Sequence, residues 1–237
     1  MNLPTSTPWD NYPPGKLTLK RGDLHLWRIH LDLSPEKIAL LKKTLSSDEI
    51  IRADRLIAPV KRENFIASRG SLRVILGRYL DLKPGEIQFE YGEEGKPFIK
   101  KIPLSFNLSH SADWAALAVT NGSEVGIDIE YIDPRLDYEK VAAQFFSLQE
   151  RDRLMQFSPR RRRRGFYRIW TAKEGTLKCS GSGFTRQGGD LPRENLHSLD
   201  FSTNNFELNA FHLAKNYVAT LVAAGDISSV KRWHLKG

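Results

Sequence analysis

The amino-acid sequence predicts an α+β protein of two halves, and two observations support that class. Patterns typical of helices and of strands occur in a similar mix on both sides of Asn121, although no internal repeat is readable. Asn121-Gly122 is the strongest short hairpin signal in the chain. We therefore expect an N-terminal half over residues 1–122 and a C-terminal half over residues 123–237. A chain of 237 residues is long enough to bury a substantial core.

The N-terminal half is expected to open with an extended arm, because prolines stand at positions 4, 8, 13 and 14. The following stretch, DLHLWRIHLDL, alternates apolar residues and favours a strand. Ser46 and Ser47 precede two acidic residues, a pattern typical of a helix start. Apolar residues at helical spacing then predict a long amphipathic helix over Val60–Leu80, which Lys83-Pro84-Gly85 ends. IQFEYG and WAALAVT favour two strands before the hairpin.

The C-terminal half begins with EVGIDIEYI, which has the alternation of a strand. Helical patterns then cover roughly residues 138–156 and 161–179, and Gly181 and Gly183 end the second helix. FELNAFHLA, YVATLVAA and a basic tail are interpreted as strands.

The composition excludes several kinds of protein. Cys179 is the only cysteine, so neither an intrachain disulfide nor a cysteine-based zinc site is expected, which suits the cytoplasm. The N-terminus lacks the pattern of a secretion signal, and no apolar run approaches the roughly 20 residues of a membrane span. Five of the charges behind the net +8 belong to Arg160–Arg164, so the rest of the chain carries only +3. Charge alone does not choose between nucleic acid, an anionic membrane, a phosphorylated cofactor and an acidic protein as partner.

Two carboxylates on one strand are the first candidates for chemistry. Asp128 and Glu130 alternate with apolar residues, so both leave the same face about 6 to 7 Å apart. At an effective dielectric of about 20 they repel by roughly 2 to 3 kcal/mol unless a cation lies between them. An isolated pattern of this kind is more often a half-exposed strand with acidic residues in water.

Glu174 is the third candidate carboxylate, on a helix beside Lys173 and Lys178. A glutamate four residues before a lysine is also an ordinary surface pair. Three carboxylates suit a hard cation such as Mg²⁺, and the neighbouring lysines indicate that an anion binds there too. His110 lies in N-L-S-H-S, just before a strand, where loop residues often reach a site. The histidines lack zinc-like spacing, and no G-x-S-x-G elbow is present.

Four motifs follow one another along the chain: Gly95-Lys96-Pro97, Phe106-Asn107-x-Ser109-His110-Ser111, Gly126-x-Asp128-x-Glu130, and Trp170-x-x-Lys173-Glu174-x-x-x-Lys178. Phe145-Phe146-Ser147 before Glu150 adds a fifth. With this set, over roughly residues 45–185, the sequence resembles the Sfp-type 4′-phosphopantetheinyl transferases. That family moves phosphopantetheine from coenzyme A to a serine of an acyl or peptidyl carrier protein. The resemblance implies two similar α/β halves in a pseudo-twofold arrangement, with coenzyme A and a metal at the seam.

The resemblance also implies the site residues. Three carboxylates would hold Mg²⁺ or Mn²⁺ against the pyrophosphate of coenzyme A: Asp128, Glu130 and Glu174. Two residues would be catalytic: Lys178 would neutralise charge on the phosphoryl oxygens, and Glu174, directly or through a water, would act as base for the carrier serine. The residues implied to contact coenzyme A are Arg52, Arg69, Lys96, Ser109, His110, Lys173 and Lys178. The nucleotide would thus bind to the N-terminal half, and the C-terminal half would carry the metal ligands and the catalytic helix.

The resemblance implies an acidic apo carrier protein of fatty-acid, polyketide or nonribosomal peptide synthesis as partner, docking near residues 132–146. It further implies a monomer with an internal pseudo-dimer, without nucleic acid or membrane as partner. Two positions depart from the family pattern: Gly175 stands where Ala or Ser is usual, and Glu49 stands where a lysine is expected.

Two other interpretations stay open at the level of sequence. A Mg²⁺-dependent nuclease would also use D-x-E and a basic surface, although such enzymes often place a lysine two residues after the second carboxylate, where this chain has Ile132. A nucleic-acid-binding protein would use Arg160–Arg164, but five arginines without interleaved aromatics are more typical of a solvated helix face. We expect Trp170 and Phe166 to anchor that helix in the core and the arginines to face outward, toward acidic carriers.

Overall fold

The computed structural model describes residues 9–11, 15–181, 206–225 and 227–235. Helices and strands are mixed along the chain, which confirms the α+β class. The prolines of the predicted arm and Gly183 lie outside the described residues.

The first half contains six strands and three α-helices among its described residues. They are β1 (Asp10–Asn11), β2 (Asp23–His30), α1 (Pro35–Lys42), α2 (Ser47–Asp54), α3 (Pro59–Leu80), β3 (Glu90–Tyr91), β4 (Pro97–Phe98), β5 (Leu104–Ser111) and β6 (Trp114–Asn121). The described part of the second half contributes β7 (Val125–Tyr131), α4 (Tyr138–Phe145), α5 (Leu148–Met155), α6 (Pro159–Ser180), β8 (Phe206–Phe211), β9 (Tyr217–Ala224) and β10 (Ser229–Leu235).

Local sequence signals account for several helix ends. Ser46 and Glu49 form a capping box that starts α2, as the serine pattern predicts. The helical pattern predicted over residues 138–156 is divided into α4 and α5, because Ser147 and Glu150 form a second capping box that starts a new helix. Helix α6 ends at Gly181, whose φ of 74° is left-handed.

Two sheets face each other across the main core. The larger has the strand order β1-β10-β2-β6-β5, in which β10 runs parallel to β2, so the last strand of the chain joins the sheet of the first half. The smaller has the order β7-β9-β8 and is antiparallel. Apolar side chains of both sheets, such as Leu24 and Ile127, form the core between them.

The helices cover the outer faces of these sheets. Helix α3 packs on the larger sheet through a core that includes Trp27 and Leu72, while α6 packs on β7 and β9. Phe166 is buried and its ring stacks with Trp170 at a centroid distance of 5.9 Å, so the expected aromatic anchor of α6 is present. Strand β5 passes close to β7, and this seam between the two sheets brings the sequence motifs together.

Candidate active site

The seam between β5 and β7 is closed by side chains instead of a backbone ladder. Asn107 Oδ1 accepts a hydrogen bond from the amide of Ile127 (2.8 Å). Two residues on, Ser109 Oγ accepts from the amide of Ile129 (3.4 Å). Ser111 Oγ accepts from the amide of Tyr131 (3.1 Å). Alternate residues of β5 thus satisfy alternate amides along the open edge of β7. The motif predicted to be a loop before a strand is therefore itself part of β5.

Asp128 occupies the centre of this seam. Its side chain is buried, and Oδ1 accepts hydrogen bonds from Ser109 Oγ (2.9 Å) and Lys178 Nζ (2.6 Å). Oδ2 is buried as well and has no hydrogen-bond partner among the described residues. Burial raises the pKa of the carboxyl and outweighs Lys178 and Ser109, which act in the opposite direction.

Glu130 lies on the same strand, as the alternation predicted, and accepts a hydrogen bond from Ser111 Oγ (2.8 Å). Its pKa is raised to about 7, first by burial, then by the charge of Asp128, with a smaller contribution from Glu174 on α6. The predicted repulsion between the two carboxylates of β7 is thus present, and Glu174 adds to it. A cation bound among these groups would relieve that repulsion.

Lys178 contacts the carboxylates from α6. Its Nζ lies 2.6 Å from Asp128 Oδ1 and 3.3 Å from Ser109 Oγ, and 28% of the side chain is exposed. Burial is the largest influence on the pKa of Lys178 and lowers it, but Asp128, Glu174 and Glu130 together raise it above its ordinary value. Lys178 therefore carries a full positive charge at neutral pH.

Two glycines set the distance between α6 and β7. A Cβ atom on Gly126 would overlap the carbonyl oxygen of Gly175 and the amide nitrogen of Cys179. A Cβ atom on Gly175 would stand 3.0 Å from Cγ2 of Val222. Both helix and strand backbones therefore approach each other at positions without side chains. Val222 on β9 leaves little room for a side chain at Gly175, while the close contact at Gly126 brings α6 near enough for Lys178 to reach Asp128.

The carboxylates fit a hard cation that has further ligands outside the protein. Within the part of the chain that the structure describes, no group of three His, Cys, Asp or Glu side chains is arranged to hold a metal ion. Mg²⁺ is commonly bound by only one or two carboxylates, with phosphate oxygens and waters as its other ligands. Asp128 and Glu130 supply such a pair, and the buried Oδ2 of Asp128 has a free acceptor site.

Lys173 requires a correction, because the structure does not bring it to this cluster. Its side chain is 1% exposed, and Nζ donates to Glu150 at 2.8 and 3.1 Å and to the carbonyl oxygen of Phe145 at 3.1 Å. Successive helical residues are about 100° apart, so Lys173 and Glu174 leave α6 in different directions. The ammonium of Lys173 therefore joins α6 to α4 and α5. It is a buried ion pair instead of a phosphate contact.

Lys96 lies at the end of the seam where β7 begins. Its Nζ donates to Glu124 Oε2 (3.0 Å) and to the carbonyl oxygens of Val125 (3.1 Å) and Cys179 (3.5 Å). It thus connects the β3–β4 hairpin with β7 and with the C-terminal turn of α6. Burial raises the pKa of the Cys179 thiol to about 11, so this group is no nucleophile at neutral pH.

His110 lies near positive charges from both halves of the chain, namely Lys178 and Arg52. Its side chain is exposed, yet the surrounding protein still desolvates the ring. That desolvation is the first cause of a lowered pKa, followed by the charges of Lys178 on α6 and Arg52 on α2. Arg52 itself is exposed, with its guanidinium 5.4 Å from the centroid of the Phe65 ring. His110 is therefore neutral at pH 7.

Arg69 belongs to a buried charge cluster on α3. Arg69 Nε donates to Glu49 Oε1 (2.7 Å), and one of its terminal nitrogens donates to the Tyr91 hydroxyl (2.6 Å). Arg73 Nε donates to the other carboxylate oxygen of Glu49 (2.6 Å) and is almost fully buried. Glu49, where a lysine was expected, thus pairs with two arginines and balances one of their two charges. The sequence motifs did not indicate Arg73, whose only signal was its position one helical turn after Arg69.

Replacing Glu49 by Gln should destabilise the fold strongly. The guanidinium of Arg73 would stay buried without its counter-charge, which costs about 3 to 5 kcal/mol in comparable buried pairs. Chemical denaturation should therefore show a loss of that order. Glu63→Gln, at an exposed position on the neighbouring helix α3, is the control and should stay within about 0.5 kcal/mol of the wild type. Equal stability of the two variants would contradict this role of Glu49.

The five arginines of α6 have different surroundings. Three of them are exposed: Arg160, Arg161 and Arg164. Arg163 instead donates to the carbonyl oxygens of Asp133 (2.9 Å) and Leu136 (2.7 Å), and its guanidinium lies 4.9 Å from the centroid of the Tyr138 ring. Arg163 therefore fixes the loop that follows β7. No pattern in the sequence indicated this contact.

A cavity of about 370 Å³ opens beside Glu130. Its lining includes Ser111, Tyr131, Leu136, Phe166 and Trp170. The carboxylate cluster therefore borders a largely apolar space between the loop after β7 and α6. None of the described helices is both long and apolar enough to cross a bilayer.

Comparison with known proteins gives one consistent result. A family model described as the 4′-phosphopantetheinyl transferase superfamily matches residues 124–227. The 4′-phosphopantetheinyl transferase HetI of Nostoc sp. is 42% identical over 182 residues, which cover 75% of this chain and 76% of the relative. AcpT of Salmonella typhi is 41% identical over 143 residues, with 58% and 70% covered, and the 4′-phosphopantetheinyl transferase of Bacillus subtilis is 32% identical over 159 residues, with 61% and 69% covered.

Proposed function

The chain belongs to the 4′-phosphopantetheinyl transferase superfamily and is a transferase, and we propose that it moves the 4′-phosphopantetheine arm of coenzyme A to a serine of an apo acyl or peptidyl carrier protein. The reaction is Mg²⁺-dependent and releases adenosine 3′,5′-bisphosphate. The observation that carries the proposal is the cluster of Asp128, Glu130 and Lys178 at the seam, where opposite charges meet beside an open cavity. Family membership favours this reaction over the nuclease and nucleic-acid-binding alternatives.

The carboxylates are the proposed metal ligands. Asp128 and Glu130 would hold Mg²⁺, or Mn²⁺. Glu174, whose charge acts on Glu130 from α6, would join them as third ligand only on metal binding, because the described side chains form no ready group of three. Support comes from the unpartnered Oδ2 of Asp128 and from the raised pKa of Glu130, which a cation would lower again. When bound, the metal supplies positive charge to the phosphoryl oxygens of coenzyme A.

Lys178 and Glu174 are the proposed catalytic residues. Lys178 is charged, is already directed at Asp128, and remains partly exposed, so it can place its ammonium against a phosphoryl oxygen. Glu174 lies one helical turn earlier on α6 and takes the proton of the carrier serine hydroxyl, directly or through a water. The proton leaves the serine oxygen as that oxygen bonds to the phosphorus of the pantetheine arm. The bond from this phosphorus to the bridging oxygen of the pyrophosphate breaks, and adenosine 3′,5′-bisphosphate leaves.

The nucleotide of coenzyme A is proposed to bind across the first half. Arg52 and Lys96 offer positive charge at the seam, and His110 lies near Arg52 as a neutral ring that can hydrogen-bond. Arg69 lies on the same half with its charge partly balanced by Glu49. Ser109 acts through Asp128, since its hydroxyl is buried and donates to that carboxylate. We likewise propose a nucleotide-binding half, residues 1–122, and a catalytic half, residues 123–237, although the last strand of the second half, β10, joins the sheet of the first.

The carrier is proposed to dock where α6 and residues 132–146 meet. The exposed arginines of α6 give this side a positive surface, and the cavity beside Glu130 opens between the two segments. An acidic carrier would be attracted to such a surface. We further propose a cytoplasmic monomer with an internal pseudo-dimer, without nucleic acid or membrane as partner.

Mass spectrometry of the carrier tests the proposal. The protein is incubated with Mg²⁺, coenzyme A and apo carriers of the fatty-acid, polyketide and peptide types. At least one carrier should gain one phosphopantetheine arm, and Asp128→Ala and Glu174→Ala should abolish that gain. Glu63→Ala, at an exposed position outside the site, is the control and should modify the carrier at the wild-type rate. Failure of the wild-type protein with every carrier type would refute the proposal.

A further inference from the structure

The serines of β5 make a second contact besides the one that closes the seam. Ser109 Oγ accepts from the amide of Ile129 and donates to Asp128 Oδ1 at 2.9 Å. Ser111 Oγ accepts from the amide of Tyr131 and donates to Glu130 Oε2 at 2.8 Å. The same bonding pattern therefore occurs twice, displaced by two residues on both strands.

The chemistry of a hydroxyl makes this pattern directional. A serine hydroxyl has one proton to donate and two lone pairs to accept with. The backbone amides of β7 occupy an acceptor site, so the single proton of each hydroxyl is directed to a carboxylate. Each carboxylate is thereby fixed to the strand on which it stands, through a residue of the opposite sheet.

Glu130 depends most on this support. Its side chain has three rotatable bonds and is partly exposed, and the like charges of Asp128 and Glu174 act on it. Repulsion would turn its carboxylate toward solvent if nothing held it. Among the described residues, Ser111 is the group that donates a hydrogen bond to the Glu130 carboxylate.

We propose that Ser111 and Ser109 are positioning residues, which hold the carboxylates of Glu130 and Asp128 in the orientation that binds the divalent cation. The proposal rests on the proposed function, because it assumes that these carboxylates are metal ligands. It also assigns different roles to the alternating polar residues Asn107, Ser109 and Ser111. All three close the seam, and the two serines additionally aim the metal ligands.

Direct metal binding tests the proposal apart from turnover. Mn²⁺ is titrated into the full chain with saturating coenzyme A and no carrier, and free Mn²⁺ is measured by electron paramagnetic resonance. Ser111→Ala should weaken Mn²⁺ binding by about 10-fold or more, the usual effect of removing a partner that orients a metal ligand. Ser111→Thr keeps the hydroxyl and should bind within about 3-fold of the wild type, while Ser111→Cys keeps the side-chain volume but is a weak donor and should resemble Ala.

Ser105→Ala is the matched control. Ser105 lies on the same strand and donates to the exposed carboxylate of Glu124 at 3.3 Å, outside the cluster. Its loss should leave Mn²⁺ binding unchanged. If the wild type binds Mn²⁺ while Ser111→Ala and Ser111→Cys bind it equally well, the positioning role is overturned and the proposed function stands. If the wild type binds no Mn²⁺ with coenzyme A, both the metal assignment and the positioning role are overturned.

Discussion

An Asp128→Asn variant is expected to lose phosphopantetheine transfer by about 100- to 1,000-fold while its metal-free form stays at least as stable as the wild type. The loss follows from removing the charged metal ligand and the partner of Lys178, an electrostatic contribution of the size usual in preorganised sites. The stability follows from burial, which raises the pKa of Asp128 and so makes its charged form costlier in the folded chain. The amide avoids that cost, and Lys178 is exposed enough to turn to solvent.

The transfer rate and the stability of the variant are measured separately. Transfer rates come from the mass of the modified carrier over time, and stability comes from denaturant unfolding without metal at pH 7. Asp32→Asn, at an exposed position outside the site, should match the wild type in both measurements. A destabilised Asp128→Asn protein, or one with undiminished transfer, would contradict the description of Asp128 as a costly functional charge.

A Gly126→Ala variant should lose both stability and transfer. The added Cβ would overlap backbone atoms of Gly175 and Cys179, which cannot rotate away as a side chain can. Overpacking of this kind costs about 3 kcal/mol or more, which corresponds to a melting temperature lower by about 6 to 12 °C for a chain of this size. Helix α6 would also be displaced from β7, separating Lys178 from Asp128, so transfer should fall even where the variant is fully folded.

Gly85→Ala is the matched control for this variant. A Cβ at that position would meet only a carbonyl oxygen of Thr44 at 3.9 Å, an ordinary contact. Differential scanning calorimetry should therefore show a large decrease for Gly126→Ala and almost none for Gly85→Ala. If Gly126→Ala melted like the control and retained full transfer, the close approach of α6 to β7 would not be what positions the catalytic helix.

The sequence anticipated the carboxylates because their placement depends on local periodicity. Alternation on one strand is enough to put Asp128 and Glu130 on the same face, and helical spacing is enough to align Glu174 with Lys178. The predicted coenzyme A contact of Lys173 was wrong because its partner, Glu150, lies on another helix. That helix, α5, starts at a capping box formed by Ser147. The alternation rules describe where a side chain leaves its own element, and they contain nothing about the group that it meets.

The seam itself depended on contacts that have no local signal. Asn107, Ser109 and Ser111 alternate with the period of a strand, so the motif could have been assigned to β5 instead of a loop. Their pairing with amides 20 residues later could not be predicted, since side chain to backbone bonds leave no hydrophobic pattern. Likewise, no local feature of β10 indicates its parallel pairing with β2.

The most direct test of the central claim is the stoichiometry of one reaction. The wild-type chain is mixed with coenzyme A and an apo carrier that it modifies, and liquid chromatography with mass detection counts modified carrier and adenosine 3′,5′-bisphosphate together. We predict one nucleotide released for each carrier modified, with both products lost on chelation of divalent cations and restored by added Mg²⁺. Unchanged carrier modification under chelation, or nucleotide release without any modified carrier, would contradict a metal-dependent transfer at Asp128 and Glu130.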